Sequence, residues 1–258
     1  MSLTSLRRRA AGAALCLAAL LPLTACGSDD DSTGSADRTQ LTVLAAASLT
    51  DVFADVGKAY EKSHPDVRLR FSFAGSQDLA AQVRAGAPAD ALVTADLPTM
   101  QKLRGDVGQY AKIAKNRLVI AVGEGNPRHV RGLKDLADKD LKVVLAAPEV
   151  PVGRYSRTVL DGADVHVKPV SQEPSVRAVL SKVKLGEADA GIVYVTDATT
   201  AEDRVDTVTI PDDENAIASY PAAPLTASRH EEQARAFVRW LTSPTAQKIL
   251  RTAGFQRP

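Results

Sequence analysis

Short apolar runs alternate with amphipathic segments along the chain from Leu41 to the carboxyl terminus. Short runs rich in β-branched residues predict strands, whereas apolar residues that recur every three or four positions predict helices. Strands that alternate with helices in this way are typical of an α/β protein. The predicted strands begin at Leu41, Val67, Ala91, Arg117, Leu141 and Ala190.

Helical patterns follow several of these strands directly. Residues 50–64 carry apolar side chains at helical spacing and stop before Pro65, which disfavours a helical residue in front of it. A second helix is predicted from Asp78 to Gly86, because glycine is favoured just past a helix end. The last sixth of the chain predicts two helices separated at Pro244.

The segment before Leu41 has a different character. Residues 1–25 combine three consecutive arginines with an apolar run that is too short to span a bilayer comfortably, which predicts a signal peptide. The sequence "LTAC" ends at Cys26 and resembles the lipobox of bacterial lipoproteins, which implies that Cys26 is lipidated; the alternative is a structural cysteine behind an ordinary signal peptide. Residues 26–40 are rich in Gly, Ser, Asp and Thr, and we predict a flexible tether there.

Composition and charge exclude one class of partner. The 258 residues are 45% hydrophobic and 4% aromatic, with a formal charge of +1 that becomes −2 once residues 1–25 are removed. A nucleic-acid-binding surface would show a basic stripe with interleaved aromatic residues, so we expect no nucleic-acid partner. One of the two cysteines, Cys16, lies within the predicted signal peptide, so we expect no disulfide in the mature protein.

Four junctions between strands and helices would expose backbone amides. Ser48 and Ser76 each follow a strand and small residues, while Val152 and Val176 each stand at the start of a predicted helix. Ligands of open α/β sheets bind beyond the carboxyl ends of strands, where the first amides of helices lack partners and carry partial positive charge. None of these junctions requires a lysine or arginine, and together they predict recognition of an anion by neutral donors.

Each junction also has an ordinary structural explanation. Ser48 could cap the helix that follows it, with Asp51 completing a capping box. Asp51 and Asp78 are the acids close in sequence to the proposed site, and we expect both to cap helices and point away from the anion. An inward carboxylate would favour phosphate, whose remaining proton needs an acceptor. Arg154 and Arg177 follow two of the donors, and we expect them on exposed helix surfaces.

The segments "AAASLTDVF", "GAPADALVTAD", "PEVPVGRY" and "AGIVYVTDA" resemble the molybdate-binding proteins of ABC importers, the ModA type. The likeness extends from about Leu41 to Phe255, and the segments stand in the family's order. It implies an α/β, two-lobed periplasmic-binding-protein-like fold of type II, in which each lobe is a mostly parallel sheet flanked by helices. The implied boundaries are residues 41–116 and 213–258 for lobe 1 and residues 117–212 for lobe 2.

The resemblance also implies a set of ligand-binding residues. Ser48 and Ser76 would donate their hydroxyls, Val152 and Val176 their backbone amides, and Tyr194 its hydroxyl. Val152 stands where familiar members often carry alanine, but a change of side chain leaves an amide donor in place. Neutral donors suit a fully deprotonated tetrahedral oxyanion and leave the proton of monohydrogen phosphate without a partner. We expect no cofactor and no bound metal cation.

The implied function is that of an extracytoplasmic solute-binding lipoprotein rather than an enzyme. It would capture molybdate, and also tungstate, and deliver the ion to an ABC permease as a monomer anchored through Cys26 at the outer face of the bacterial cytoplasmic membrane. The alternative ligand is sulfate or another tetrahedral oxyanion. A serine hydrolase is disfavoured because "AGSQD", around Ser76, is not the G-x-S-x-G elbow. A third class, an extracellular adhesion or scaffold lipoprotein, would bind no ligand, and the implied crevice between two lobes argues against it.

Overall fold

The computed structural model describes residues 38–258. The signal peptide predicted at residues 1–25, the lipidation of Cys26 and most of the tether predicted at residues 26–40 therefore lie outside the described residues. The first strand begins at Thr39, two residues before the expected start at Leu41. Thr39 already pairs with Val67 of the neighbouring strand, so the sheet includes the end of the predicted tether.

Strands and helices alternate through most of the described chain. The strands are β1 (Thr39–Ala46), β2 (Val67–Ala74), β3 (Ala91–Val93), β4 (Ala111–Gly123), β5 (Val143–Ala146), β6 (Ser171–Glu173), β7 (Ala190–Tyr194), β8 (Val205–Thr209) and β9 (Ile217–Pro224). The α-helices are α1 (Thr50–Ser63), α2 (Ser76–Arg84), α3 (Leu97–Gln101), α4 (Pro151–Gly162), α5 (Val176–Lys184), α6 (Val195–Thr199), α7 (Glu231–Trp240) and α8 (Pro244–Thr252), and short 3₁₀ turns occupy Ala47–Leu49 and Leu133–Ala137.

The strands form one mixed sheet in the order β2-β1-β3-β9-β4-β7-β5-β6, with β8 also paired to β4. Strands β1, β2 and β3 are parallel to one another, as are β5, β6 and β7, whereas β9 runs antiparallel to both β3 and β4. The long strand β4 belongs to both parts of the sheet: its first residues, 111–117, pair with β9, and residues 118–123 pair with β7 and β8. The sheet therefore has two halves joined through β4.

The six predicted strands are all present, and three further strands, β6, β8 and β9, were not predicted. β9 is the instructive case, because prolines at 221 and 224 are typical of an edge strand or a loop. Here β9 lies between β3 and β4. The register of β4 shifts between Lys112 and Ala114, opposite Pro221 and Tyr220, and this irregularity accommodates a residue that has no N–H to donate.

The predicted helices are confirmed with small changes at their ends. α1 buries Val52, Phe53, Val56 and Tyr60 on one face, as its apolar spacing predicts. α2 begins at Ser76, two residues before the predicted start, and Gly86 follows it with a φ of 74°, a conformation that favours glycine. Pro244 is the first residue of α8. Between residues 38 and 258, no helix is long and apolar enough to cross a membrane.

Candidate anion-binding site

All five residues predicted to bind the ligand line one small cavity, with about 220 Å³ of empty space including its mouth. The first half of the sheet contributes the ends of β1 and β2 with Ser48 and Ser76, and the second half contributes the starts of α4 and α5 together with Tyr194. The remaining lining residues are alanine, glycine, proline, valine and serine. Among the described residues, therefore, no charged side chain lines this cavity.

Helix starts surround the cavity with backbone amides. Ser76 is the first residue of α2, Val176 the first of α5, and Val152 the second of α4. The first amides of a helix have no acceptor within that helix. In α5 the side chain of Ser175 accepts from the amide of Ala178 at 3.2 Å, a cap that does not engage Val176. These amides are thus placed to donate to a ligand in the cavity.

The two serines are buried, with 3% and 1% of Ser48 and Ser76 exposed. Ser76 Oγ accepts a hydrogen bond from the amide of Ala95 at 3.0 Å, which leaves the serine proton available. Ser48 Oγ lies 2.9 Å from the hydroxyl of Tyr220. The capping explanation for Ser48 is wrong: the N-cap of α1 is Leu49, and no side chain caps this helix.

Tyr194 ends β7 and presents a buried hydroxyl at the cavity. The residue is 1% exposed, and among the described residues its oxygen has no hydrogen-bond partner. Burial raises the pKa of Tyr194 well above its ordinary value, so the side chain remains a neutral donor. An unpartnered buried hydroxyl costs about 1–3 kcal/mol, and a bound anion would offset that cost.

Asp51 and Asp78 do not line the cavity. The Asp51 carboxylate pairs with Arg177, while Asp78 Oδ2 accepts from Gln77 Nε2 at 3.0 Å. The expectation that both cap helices is wrong, because neither α1 nor α2 has a side-chain capping bond. Their positions do agree with the expectation that no acid accepts a proton from the ligand.

Arg154 and Arg177 are not free surface side chains, which corrects the expectation from sequence. Their side chains are 28% and 25% exposed. Arg154 donates to Asp96 through Nε at 3.0 Å and to Thr99 Oγ1 at 2.8 Å. Arg177 pairs with Asp51. The ion pairs therefore link α4 and α5 of the second half to α3 and α1 of the first, outside the cavity wall.

Arg177 also faces a buried acid, Asp197. Its Nε and Asp197 Oδ1 lie 2.7 Å apart, although they are not aligned as a hydrogen bond, and Asp197 is completely buried. Burial raises the pKa of Asp197 to about 7, against the lowering effect of Arg177. Asp197 does not line the cavity, and its carboxylate meets Arg177 instead.

Sequence reasoning missed two residues near the site. Tyr220 lies in β9, a strand that was not predicted because it contains prolines. It is also 172 positions from Ser48, so no local sequence pattern connects the two residues. Gly75 brings the two halves together, because a Cβ atom there would lie 2.4 Å from the carbonyl oxygen of Pro174. The same carbonyl accepts from Gln77 Nε2 at 2.8 Å. The glycine in "AGS" could have indicated a close backbone approach, but only the fold shows that the neighbouring group is the carbonyl of Pro174.

Residues 41–256 match the family model described as bacterial extracellular solute-binding protein. The chain is 37% identical over 243 residues to the molybdate-binding protein ModA of Mycobacterium tuberculosis (strain H37Rv), covering 92% of this chain and 93% of that protein. It is 32% identical to YvgL of Bacillus subtilis, named provisionally as an ABC transporter substrate-binding lipoprotein, with 93% and 95% coverage.

Solved structures show the same architecture. The periplasmic molybdate-binding protein of Azotobacter vinelandii matches with a TM-score of 0.70 and 21% identity, covering 84% of this chain and 99% of that one. The sulfate-binding protein SubI of Mycobacterium tuberculosis matches with a TM-score of 0.75 and 23% identity, covering 85% and 87%. At these identities the likeness concerns the fold, and it confirms the predicted two-lobed α/β class.

Proposed function

The chain belongs to the bacterial extracellular solute-binding proteins, among them to the molybdate-binding proteins of ABC importers, and on that premise we propose that it captures molybdate for delivery to an ABC permease. Its homologues are binding proteins rather than enzymes, and so is this chain. We assign the ligand to the cavity between lobe 1, residues 41–116 and 213–258, and lobe 2, residues 117–212.

One observation carries this proposal: Ser48, Ser76, Val152, Val176 and Tyr194 come from separate segments and meet at one cavity without a charged wall. Hydroxyls and amides can donate to every oxygen of a tetrahedral oxyanion. Partly buried helix starts add favourable potential for negative charge. The absence of a lining carboxylate, in the described part of the chain, disfavours a ligand that must itself donate a proton.

Tungstate has nearly the size and charge of molybdate and is proposed as a second ligand. Sulfate is the alternative, and the fold likeness to SubI, which is named a sulfate-binding protein, favours testing it directly. Sulfate is a smaller ion that would accept hydrogen bonds from the same donors. Discrimination between these oxyanions therefore depends on how closely the lobes approach around the ligand.

We propose that ligand binding favours a closed arrangement of the lobes. Only closure brings Ser48 and Ser76 together with the lobe 2 donors, so the anion binds the closed form more tightly than an open one. The ion pairs of Arg154 with Asp96 and of Arg177 with Asp51 would form in the same step. Strand β4 and the segment between β8 and β9 connect the lobes and would carry the hinge.

We also propose anchoring through a lipidated Cys26, which places the protein at the outer face of the cytoplasmic membrane as a monomer near its permease. The sequence "LTAC" supports this, as does the word lipoprotein in the name of the Bacillus relative. Two or more acyl chains on one cysteine would suffice for stable attachment. Mass spectrometry of the mature protein tests it, since an unmodified Cys26 would contradict it.

The ligand is tested by thermal unfolding of the mature chain with Cys26→Ser, titrated in parallel with molybdate, tungstate, sulfate and phosphate. A ligand at about 100 times its Kd stabilises the fold by about 2.7 kcal/mol, which raises the Tm by several degrees. We expect this shift with micromolar molybdate and tungstate. A shift with sulfate alone would establish the alternative, and no shift with any of the four would contradict an anion site.

A further inference from the structure

We infer that Tyr220 is a positioning residue for anion binding: its hydroxyl donates to Ser48 Oγ and thereby commits the proton of Ser48 to the anion. The inference rests on the proposed function of the cavity. Tyr220 does not line the cavity, so it would act through Ser48 rather than by touching the ligand.

The geometry allows two arrangements of protons. Ser48 Oγ and Tyr220 Oη are 2.9 Å apart and buried, and either hydroxyl could donate to the other. If Ser48 donates to Tyr220, the serine offers lone pairs to the cavity and repels an oxyanion. If Tyr220 donates, the serine proton remains free for the anion, because a hydroxyl has one proton and two acceptor positions.

Two features favour donation by Tyr220. Burial raises the pKa of Tyr220 well above its ordinary value, which keeps the phenol protonated. The anion provides the second feature: a Ser48 proton given to the anion cannot also fill the 2.9 Å contact between the two hydroxyls. The proton of Tyr220 is then the one left to fill that contact.

The fold holds the ring of Tyr220 in place. The rings of Tyr194 and Phe255 pack edge-on against it, with ring centroids 6.0 Å and 5.4 Å away. Because its strand β9 pairs on both sides, with β3 and β4, the hydroxyl stays at Ser48. The donors thus run from Tyr220 through Ser48 to the anion, and the first polarises the second.

The inference is tested by a double-mutant cycle with Tyr220→Phe, Ser48→Ala and the double variant, using calorimetric titration with molybdate. Removing the tyrosine hydroxyl alone should weaken Kd about tenfold, the size of one hydrogen bond to a group that contacts a charge. In the Ser48→Ala background the same change should have no further effect, because the proton that Tyr220 directs is gone.

Tyr60→Phe is the matched control, since Tyr60 is another fully buried tyrosine and lies away from the cavity. It should leave Kd unchanged. The Tm of each variant without anion separates an effect on folding from one on binding. Equal affinity of Tyr220→Phe and wild type, or additive losses in the cycle, would overturn the inference alone. Wild-type protein that binds none of the oxyanions would overturn the proposed function and this inference with it.

Discussion

The two lobes approach the same cavity with different sets of proposed donors. Lobe 1 offers the side-chain hydroxyls of Ser48 and Ser76, which already bond to Tyr220 and to the amide of Ala95. Lobe 2 offers the hydroxyl of Tyr194 and, at Val152 and Val176, two backbone amides whose directions are set by the starts of α4 and α5. A hydroxyl rotates and needs a second partner to aim it, whereas an amide at a helix start is aimed by the backbone.

This difference predicts opposite responses to mutation. In lobe 1 a serine can be truncated and its donor disappears. In lobe 2 the buried valines can change while the donors remain, because the proposed ligand contact is the amide and the side chain is buried in the core. Substitutions at Val152 and Val176 should therefore affect binding only when they remove an N–H or move the helix start.

The largest effect is expected from Val176→Pro, which removes one amide donor. Proline is favoured at the first position of a helix, and Ser175, with φ −156° and ψ 162°, is in the extended region that a residue before proline prefers. Loss of a hydrogen bond to a charged ligand costs about 1.5–3 kcal/mol, which is roughly a 10- to 100-fold increase in Kd for molybdate.

Val176→Ala is the matched control, because it shortens the side chain and keeps the amide. Calorimetric titration should place its Kd within a few-fold of wild type, while circular dichroism checks that α5 still forms in both variants. If the proline and alanine variants bind equally well, the Val176 amide is not a ligand contact. The proposal that lobe 2 binds the anion through backbone amides would then be wrong at this position.

Gly75→Ala tests whether the two donor sets need full closure to act together. A Cβ atom would lie 2.4 Å from the Pro174 carbonyl oxygen, so the lobes could not approach as closely as they do here. We expect a several-fold loss of molybdate affinity and a smaller compaction on binding in small-angle scattering. Gly105→Ala, where a Cβ meets nothing within 4 Å, should behave like wild type. Equal compaction in both variants would contradict this role for Gly75.

The same contrast explains what could be predicted from the sequence. The strand-to-helix junctions at Ser48, Ser76, Val152 and Val176 are local patterns, and local spacing is enough to place a donor at a helix start. Tyr220 is different, since its strand pairs far along the chain and its prolines resemble a loop. Long-range contacts of this kind depend on which strands become neighbours in the sheet, and the local spacing of residues does not predict the strand order.

The prediction that two arginines are exposed was wrong for the same reason. Arg154 and Arg177 stand on helices whose outer faces read as exposed, and their partners Asp96 and Asp51 belong to the other lobe. A pattern within one helix shows which side chains face outward. It does not show that another lobe lies opposite them, so exposure was inferred where an ion pair is found.

The smallest effect, on stability rather than binding, is expected at Asp197 behind the lobe 2 donors. Its pKa rises from an ordinary value of 3.8 to about 7 in the fold, so between these pH values the folded protein holds a proton that the unfolded chain has lost. This contribution to the free energy of unfolding is therefore greatest at acidic pH and is lost as the pH rises to about 7.

Thermal unfolding between pH 5 and pH 8 should show a Tm that falls by a few degrees more in wild type than in Asp197→Asn, because asparagine has no proton to lose. Glu187, an exposed acid paired with Lys182, provides the control: Glu187→Gln should keep the wild-type slope. Identical slopes in wild type and Asp197→Asn would mean that Arg177 holds Asp197 ionised throughout. Lobe 2 would then contain a charged pair beside its backbone donors. The negative charge of Asp197 would in that case be neutralised by Arg177 rather than by a proton.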